Sequence, residues 1–119
     1  EPAPEGQESG KGIALSYYEA CIMHELRKQG VRAQSQVLLP IEYDGVKIDA
    51  GYRIDVLVED TVVVELKVVK SIEPIHEAQV LSYLRLARKQ VGLLINFHVL
   101  HLRDGIKQIV NDYQEPQKA

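Results

Sequence analysis

The stretch GYRIDVLVEDTVVVELKVV, from Gly51 to Val69, constrains the fold more than any other part of the chain. β-branched and apolar residues flank Glu59-Asp60-Thr61, the composition of two strands joined by a short turn. Ile54, Val56 and Val58 alternate with Arg53, Asp55 and Leu57. Val62-Val63-Val64 is apolar on both faces, which suits a strand covered on both sides. Glu65 and Lys67 inside such a strand are costly unless something satisfies them.

Side chains two apart on a strand share a face, so Glu65 and Lys67 point the same way. Whether Asp55 joins them depends on register. A three-residue loop over 59–61 sets 58 against 62 and 55 against 65, on one face. A two-residue loop sets 55 against 64 or 66, and only a bulge could then reunite the acids. Two carboxylates side by side call for a cation between them, and hard oxygen ligands suit Mg²⁺ or Mn²⁺. The plain alternative is a buried acid–lysine pair with no chemistry.

The chain has 119 residues, enough for one domain with a modest core. Its 45% apolar and 26% charged residues are ordinary for a globular protein. No apolar run approaches the ~18 residues of a membrane span. No basic and apolar leader pattern is present, and the cytoplasm is the expected compartment. A single cysteine, Cys21, excludes an internal disulfide and a Cys₄ metal site within the chain. A net charge of −3 counts against a protein that coats nucleic acid by charge alone. It leaves room for an enzyme that grips phosphate through a metal and a local patch.

Residues 1–11, EPAPEGQESGK, read as a flexible tail, 12–112 as the domain, and 113–119 as a second tail. Apolar spacing at Leu15, Tyr18, Ile22 and Leu26 predicts a helix from about Ile13, with Met23 nearby and Gly30 as its stop. Val31 to Tyr43 reads as extended, and Pro40 favours an edge or a bulge. Asp44-Gly45 is a hairpin turn leading into Val46-Lys47-Ile48. Ser71-Ile72-Glu73-Pro74 starts a second helix that runs to about Gln90. VGLLIN, 91–96, suits a buried strand, His98 to Leu102 suits another, and Ile106 to Val110 closes the domain. A helix between the buried hairpin and VGLLIN predicts a crossover onto the same sheet, with the Val-rich strand central.

On the second helix His76, Gln79 and Tyr83 lie near one stripe, beside an apolar stripe of Val80, Leu84 and Ala87. Packed on the sheet, that helix could aim Gln79 and Tyr83 at the strand end carrying Glu65 and Lys67. The plainer expectation is a solvated Gln79 and a half-buried tyrosine with a wet hydroxyl. His98 and His101 form HxxH, but on a strand they would face opposite ways and make a poor metal pair. Either the 37–43 strand or the closing segment could be a sheet edge able to pair with another chain.

The segments GYRIDVLVED, VVVELKVV, HEAQVLSYLRL, VGLLINF and LRDGIKQIVN resemble the PD-(D/E)XK nuclease-like fold. With YYEACIMHELRKQG and QVLLPIEYDG they are most similar to the bacterial family named for a GxxExxY motif. The resemblance runs from Gly12 to Asn111. It implies a restriction-endonuclease-like α/β core of helix, three strands, helix and strand, with a mixed sheet flanked by helices.

That likeness also implies a phosphodiesterase site acting on nucleic acid, DNA in the first instance. Asp55 matches the first acid, with Ile54 where the superfamily's name has proline. Glu65 and Lys67 match the ExK element, and Gln79 and Tyr83 match QxxxY. The implied metal ligands for Mg²⁺ or Mn²⁺ are Asp55, Glu65 and the Leu66 carbonyl. Gly12 and Tyr18 fit GxxExxY, but Leu15 stands where the motif has glutamate. Glu19, one turn on, is a candidate substitute. The alternative is a nuclease fold without catalysis, binding nucleic acid or a protein partner.

Overall fold

The computed structural model describes residues 9–112, so the expected tail at 113–119 and most of the one at 1–11 lie outside the described residues. Helix α1 spans Ser9–Lys28, beginning a turn earlier than the periodicity predicts. It ends as Gly30 takes a left-handed φ of 75°. Gly30 N–H then donates to Arg27 and Val31 N–H to Leu26, which satisfies the last carbonyls.

Seven strands follow among the described residues: β1 (Ala33–Leu38), β2 (Ile41–Tyr43), β3 (Val46–Ile48), β4 (Arg53–Val58), β5 (Val62–Lys67), β6 (Val91–Asn96) and β7 (Ile106–Val110). Helix α2, Pro74–Ala87, joins β5 to β6. The main sheet has the order β1-β4-β5-β6-β7, while β2 and β3 form a separate small hairpin. β5 and β6 are parallel and every other neighbour is antiparallel. The crossover onto the same sheet is therefore present, and the Val-rich strand is the middle one of five. This is a mixed α/β sheet flanked by helices, the architecture of the restriction-endonuclease-like fold.

Two apolar clusters hold the layers together. Under α2 lie Ile54, Leu57, Val63, Leu94 and Ile109, packed on Val80 and Leu84. Under α1 lie Val56, Val64, Leu66 and Ile95, packed on Met23. Both faces of β5 are thus covered, as its sequence requires. Gly92 explains how closely α2 sits: a Cβ there would come within 2.8 Å of Val80 Cγ1.

The structure corrects several expectations. α2 stops at Ala87 rather than Gln90, because Arg88 turns left-handed at φ 59° and Lys89 N–H caps Leu84. His76 has a structural partner at the start of α2. Its Nδ1 accepts from Glu73 N–H at 2.9 Å, so it caps the start of α2. His98 to Leu102 is not a strand but a bend running into a 3₁₀ turn, Leu102–Gly105. Leu100 is 92% exposed, so its apolar character bought no burial. Gly105 has no room for a Cβ against the Asn96 carbonyl, and the turn is pressed onto the end of β6 there.

Candidate active site

β4 and β5 are joined by the three-residue loop, with Val58 opposite Val62 and Val56 opposite Val64. Glu59 and Asp60 take φ values of 53° and 55° to make the turn. The next step of that register sets Asp55 against Glu65. There the backbone ladder gives way to side chains. Asp55 Oδ2 accepts from Leu66 N–H at 2.9 Å, and Glu65 Oε2 accepts from Asp55 N–H at 3.2 Å. Each acid satisfies an amide of the opposite strand, which makes their burial tolerable.

Asp55 also marks a break in strand alternation. Ile54 packs in the cluster under α2, whereas Val56, two residues on, packs under α1. Regular pleating would put both on one face. On the other side of β4, Ser35 pairs with Val56 and Val37 with Ile54, and Gln36 between them has a φ of 53°. The two strands roll over together at Gln36 and Asp55. That turns the Asp55 carboxylate out of the core and into a cleft.

The cleft, about 340 Å³, is lined by Gly12, Leu15, Ser16 and Glu19 of α1, and by Gln36, Asp55 and Leu66 to Val69 of the sheet. Gln36 Nε2 donates to Glu19 Oε1 at 2.9 Å and reaches Asp55 Oδ1 at 3.4 Å. Glu19 is therefore brought to Asp55 through one amide. Leu15 faces the same cleft. Lys67 lies at its rim, and Lys67 Nζ donates to Gln79 Oε1 at 2.9 Å. Gln79 Nε2 in turn reaches the Tyr83 hydroxyl at 3.3 Å. Of the candidate residues, Asp55, Leu66, Lys67 and Glu19 line the cleft, Glu65 is bonded to Asp55, and Gln79 and Tyr83 follow from Lys67 by hydrogen bonds.

Electrostatics single out Glu65. It is 3% exposed, and its pKa is pushed up to about 8. Burial is the main cause, the Asp55 charge the next, and a carboxyl–carboxyl hydrogen bond with Asp55 adds to them. The Asp55 N–H and the Lys67 ammonium oppose the shift without cancelling it. Burial likewise raises the Tyr83 hydroxyl, with the charges of Glu65 and Asp55 adding to it and the bond from Gln79 opposing. No group of three His, Cys, Asp or Glu side chains close enough to hold a metal occurs among the described residues. The described residues do bring two carboxyl groups, those of Asp55 and Glu65, together across β4 and β5.

Three participants were not legible in the sequence. Gln36 reads as an ordinary strand residue, and only its left-handed backbone gives it a place between two acids. Tyr52 sits with its ring 6.1 Å from that of Tyr83, at the entrance to β4. Asn96 clamps the chain just beyond Lys67: its Nδ2 donates to Val69 O and its Oδ1 accepts from Val69 N–H. A polar residue ending an apolar run was the one available signal for it.

No curated protein matches the chain. The crystal structure of SSO0001 matches it with a TM-score of 0.62 at 19% identity, over 87% of this chain and 53% of that one. At that identity the likeness speaks to the fold, and this chain spans about half the length of that protein. No helix among the described residues is long and apolar enough to cross a membrane. The family model of the PD-(D/E)XK nuclease superfamily matches residues 6–109. With nearly the whole described chain inside that match, the protein belongs to the PD-(D/E)XK nuclease superfamily.

Proposed function

We propose that the protein hydrolyses phosphodiester bonds of nucleic acid with the help of Mg²⁺ or Mn²⁺, within the GxxExxY branch of the superfamily. The observation that carries this is the contact between Asp55 and Glu65 across β4 and β5, with Lys67 and its bonded Gln79 alongside. Two carboxyl groups this close, one of them buried, hold a proton that a divalent cation would displace. The donor set fits a hard cation: Asp55, Glu65 and the Leu66 carbonyl would hold it, with water filling the remaining positions. When bound, such an ion lowers the pKa of a water and polarises the phosphate.

The chain's own residues then have distinct tasks. Lys67 stands at the rim of the cleft, where its ammonium can orient the attacking water or offset charge growing on the phosphate oxygens. Gln79 holds that ammonium at 2.9 Å, and Tyr83 holds Gln79, so the amine is positioned before substrate arrives. Glu19 stands in for the acid that Leu15 lacks, reaching Asp55 through Gln36. Water adds to phosphorus, one P–O bond breaks, and the leaving oxygen takes a proton.

A second reading has one observation in its favour. Leu15 lines the cleft at the position of the motif's glutamate, which suits a fold that binds nucleic acid or a protein without cutting. Plasmid and single-strand cleavage with Mg²⁺ or Mn²⁺ separates the two. The enzyme reading expects cleavage by the parent and loss of it in Asp55→Ala and Lys67→Ala. Mn²⁺ should also raise the parent's melting temperature but not that of Asp55→Ala. No cleavage and no Mn²⁺ shift leaves the binding module. Gain of cleavage in Leu15→Glu alone would show that this position had been lost.

A further inference from the structure

Among the described residues the main sheet has two unpaired edges, β1 and β7, and they are built differently. β1 is broken by the left-handed Gln36 and carries exposed Gln34 and Ser35, features that discourage a further strand. β7 is unbroken. It pairs residue for residue with β6 from Ile106↔Ile95 to Val110↔Val91, and none of its residues has a positive φ.

The phase of the ladder shows which of its backbone groups are free. Asn111 N–H donates to Gln90 O at 2.8 Å, so 90 and 111 form a hydrogen-bonded pair. Such pairs alternate along an antiparallel ladder, so Ile109 and Lys107 also bond inward to β6. Ile106, Gln108 and Val110 therefore aim their N–H and C=O groups away from the sheet. Their side chains share the face of Leu93 and Ile95, whose cover, α1, packs chiefly on β1, β4 and β5. Ile106 is left 44% and Val110 50% exposed.

We infer that β7 is the surface through which two copies of this chain pair, edge to edge and antiparallel, about a two-fold axis at Gln108. The sequence of the strand is self-complementary in that register. Ile106 faces Val110 of the second copy, an apolar cross-strand pair formed twice. Gln108 faces Gln108, and Lys107 faces Ile109, so no like charges sit directly opposite. Lys107 is already held by Glu77 at 2.8 Å. The outward groups of Ile106, Gln108 and Val110 would each exchange both backbone bonds with the second copy. An isologous contact closes at two copies, and the kinked β1 edges of the resulting ten-stranded sheet resist growth into a fibre. The pairing is independent of the chemistry proposed for the acid pair.

Sedimentation equilibrium of the whole chain, from micromolar to hundreds of micromolar, tests this. The parent is expected to reach twice the chain mass as concentration rises. Ile106→Lys with Val110→Lys sets lysine against lysine in the proposed register and should hold the protein as a monomer with an unchanged circular dichroism spectrum. Ile106→Lys with Val110→Glu sets lysine against glutamate at both ends and should restore the dimer. Gln108→Pro removes an outward N–H without touching the β6 ladder and should weaken pairing at least tenfold. A parent that stays monomeric overturns the proposal. So does a double-lysine variant that still dimerises, or a lysine–glutamate variant that behaves like it.

Discussion

The two halves of the sheet obey different rules. From β5 to β7 every strand keeps its pleat, Leu94 and Gly92 face α2, and the ladder runs without interruption. From β1 to β4 the pleat fails at Gln36 and Asp55, and Ile54 and Val56 end up on opposite faces. The regular half supplies the packing, and the broken half supplies the acid that faces the cleft. Here the Asp55 carboxylate reaches the cleft at the point where alternation lapses. That lapse requires side chains to take over the backbone bonds, as Asp55 does for Leu66.

The largest effect should come from the regular half. Leu94 is fully buried beneath α2, and Leu94→Ala should cost about 2–5 kcal/mol in urea unfolding. Asp55→Asn keeps an oxygen for Leu66 N–H and removes the charge that helps hold the proton on Glu65. It should change stability by about 1 kcal/mol or less while abolishing the Mn²⁺-dependent rise in melting temperature. If Asp55→Asn instead unfolds the protein as severely as Leu94→Ala, the division between packing and chemistry is wrong.

Next comes Glu65, where the two halves meet. Its folded pKa of about 8 lies above the ordinary 4.5, so the folded protein keeps a proton that the unfolded chain loses. The stability Glu65 lends is complete below about pH 4.5 and is lost as pH rises to about 8. Glu65→Gln, measured beside the parent in EDTA, should lack this slope. Parallel curves for the two proteins between pH 5 and pH 8 would show that Glu65 ionises normally. Gly92→Ala, whose Cβ would press on Val80, should cost about 1–3 kcal/mol with no change in Mn²⁺ binding.

The same division explains what could be read from the sequence. Period-two spacing and turn chemistry placed the central hairpin and put Glu65 and Lys67 together, but left the loop open between two and three residues; the register of the fold takes three. Helical spacing placed Gln79 and Tyr83 on one stripe of α2, and the hydrogen bonds from Lys67 to Gln79 and on to Tyr83 follow it. These are local regularities, and the regular half consists of little else. The rollover at Asp55 was invisible because Ile54, Val56 and Val58 look like one uninterrupted alternation. Apolar letters misled at 98–102, where Leu100 and Leu102 stay largely exposed on a turn that only Gly105 permits. His76 drew notice as a histidine on a stripe, but its partner is a backbone N–H three residues back.

Gln36 offers the finest test of the broken half, because its backbone and its side chain do separate things. At φ 53° a non-glycine residue carries strain that glycine does not. Gln36→Gly should therefore leave stability unchanged or raise it by up to about 1 kcal/mol, while removing the amide between Glu19 and Asp55. Gln36→Val keeps a side chain but disfavours the left-handed turn, so it should destabilise the protein by about 1–2 kcal/mol and pull β1 toward regular pleating. If the amide is what brings Glu19 to the cleft, both variants should weaken Mn²⁺ binding, and only the valine should lower the melting temperature without metal. If only the valine weakens Mn²⁺ binding, the rollover alone presents Asp55, and Glu19 is a surface acid that Gln36 happens to touch.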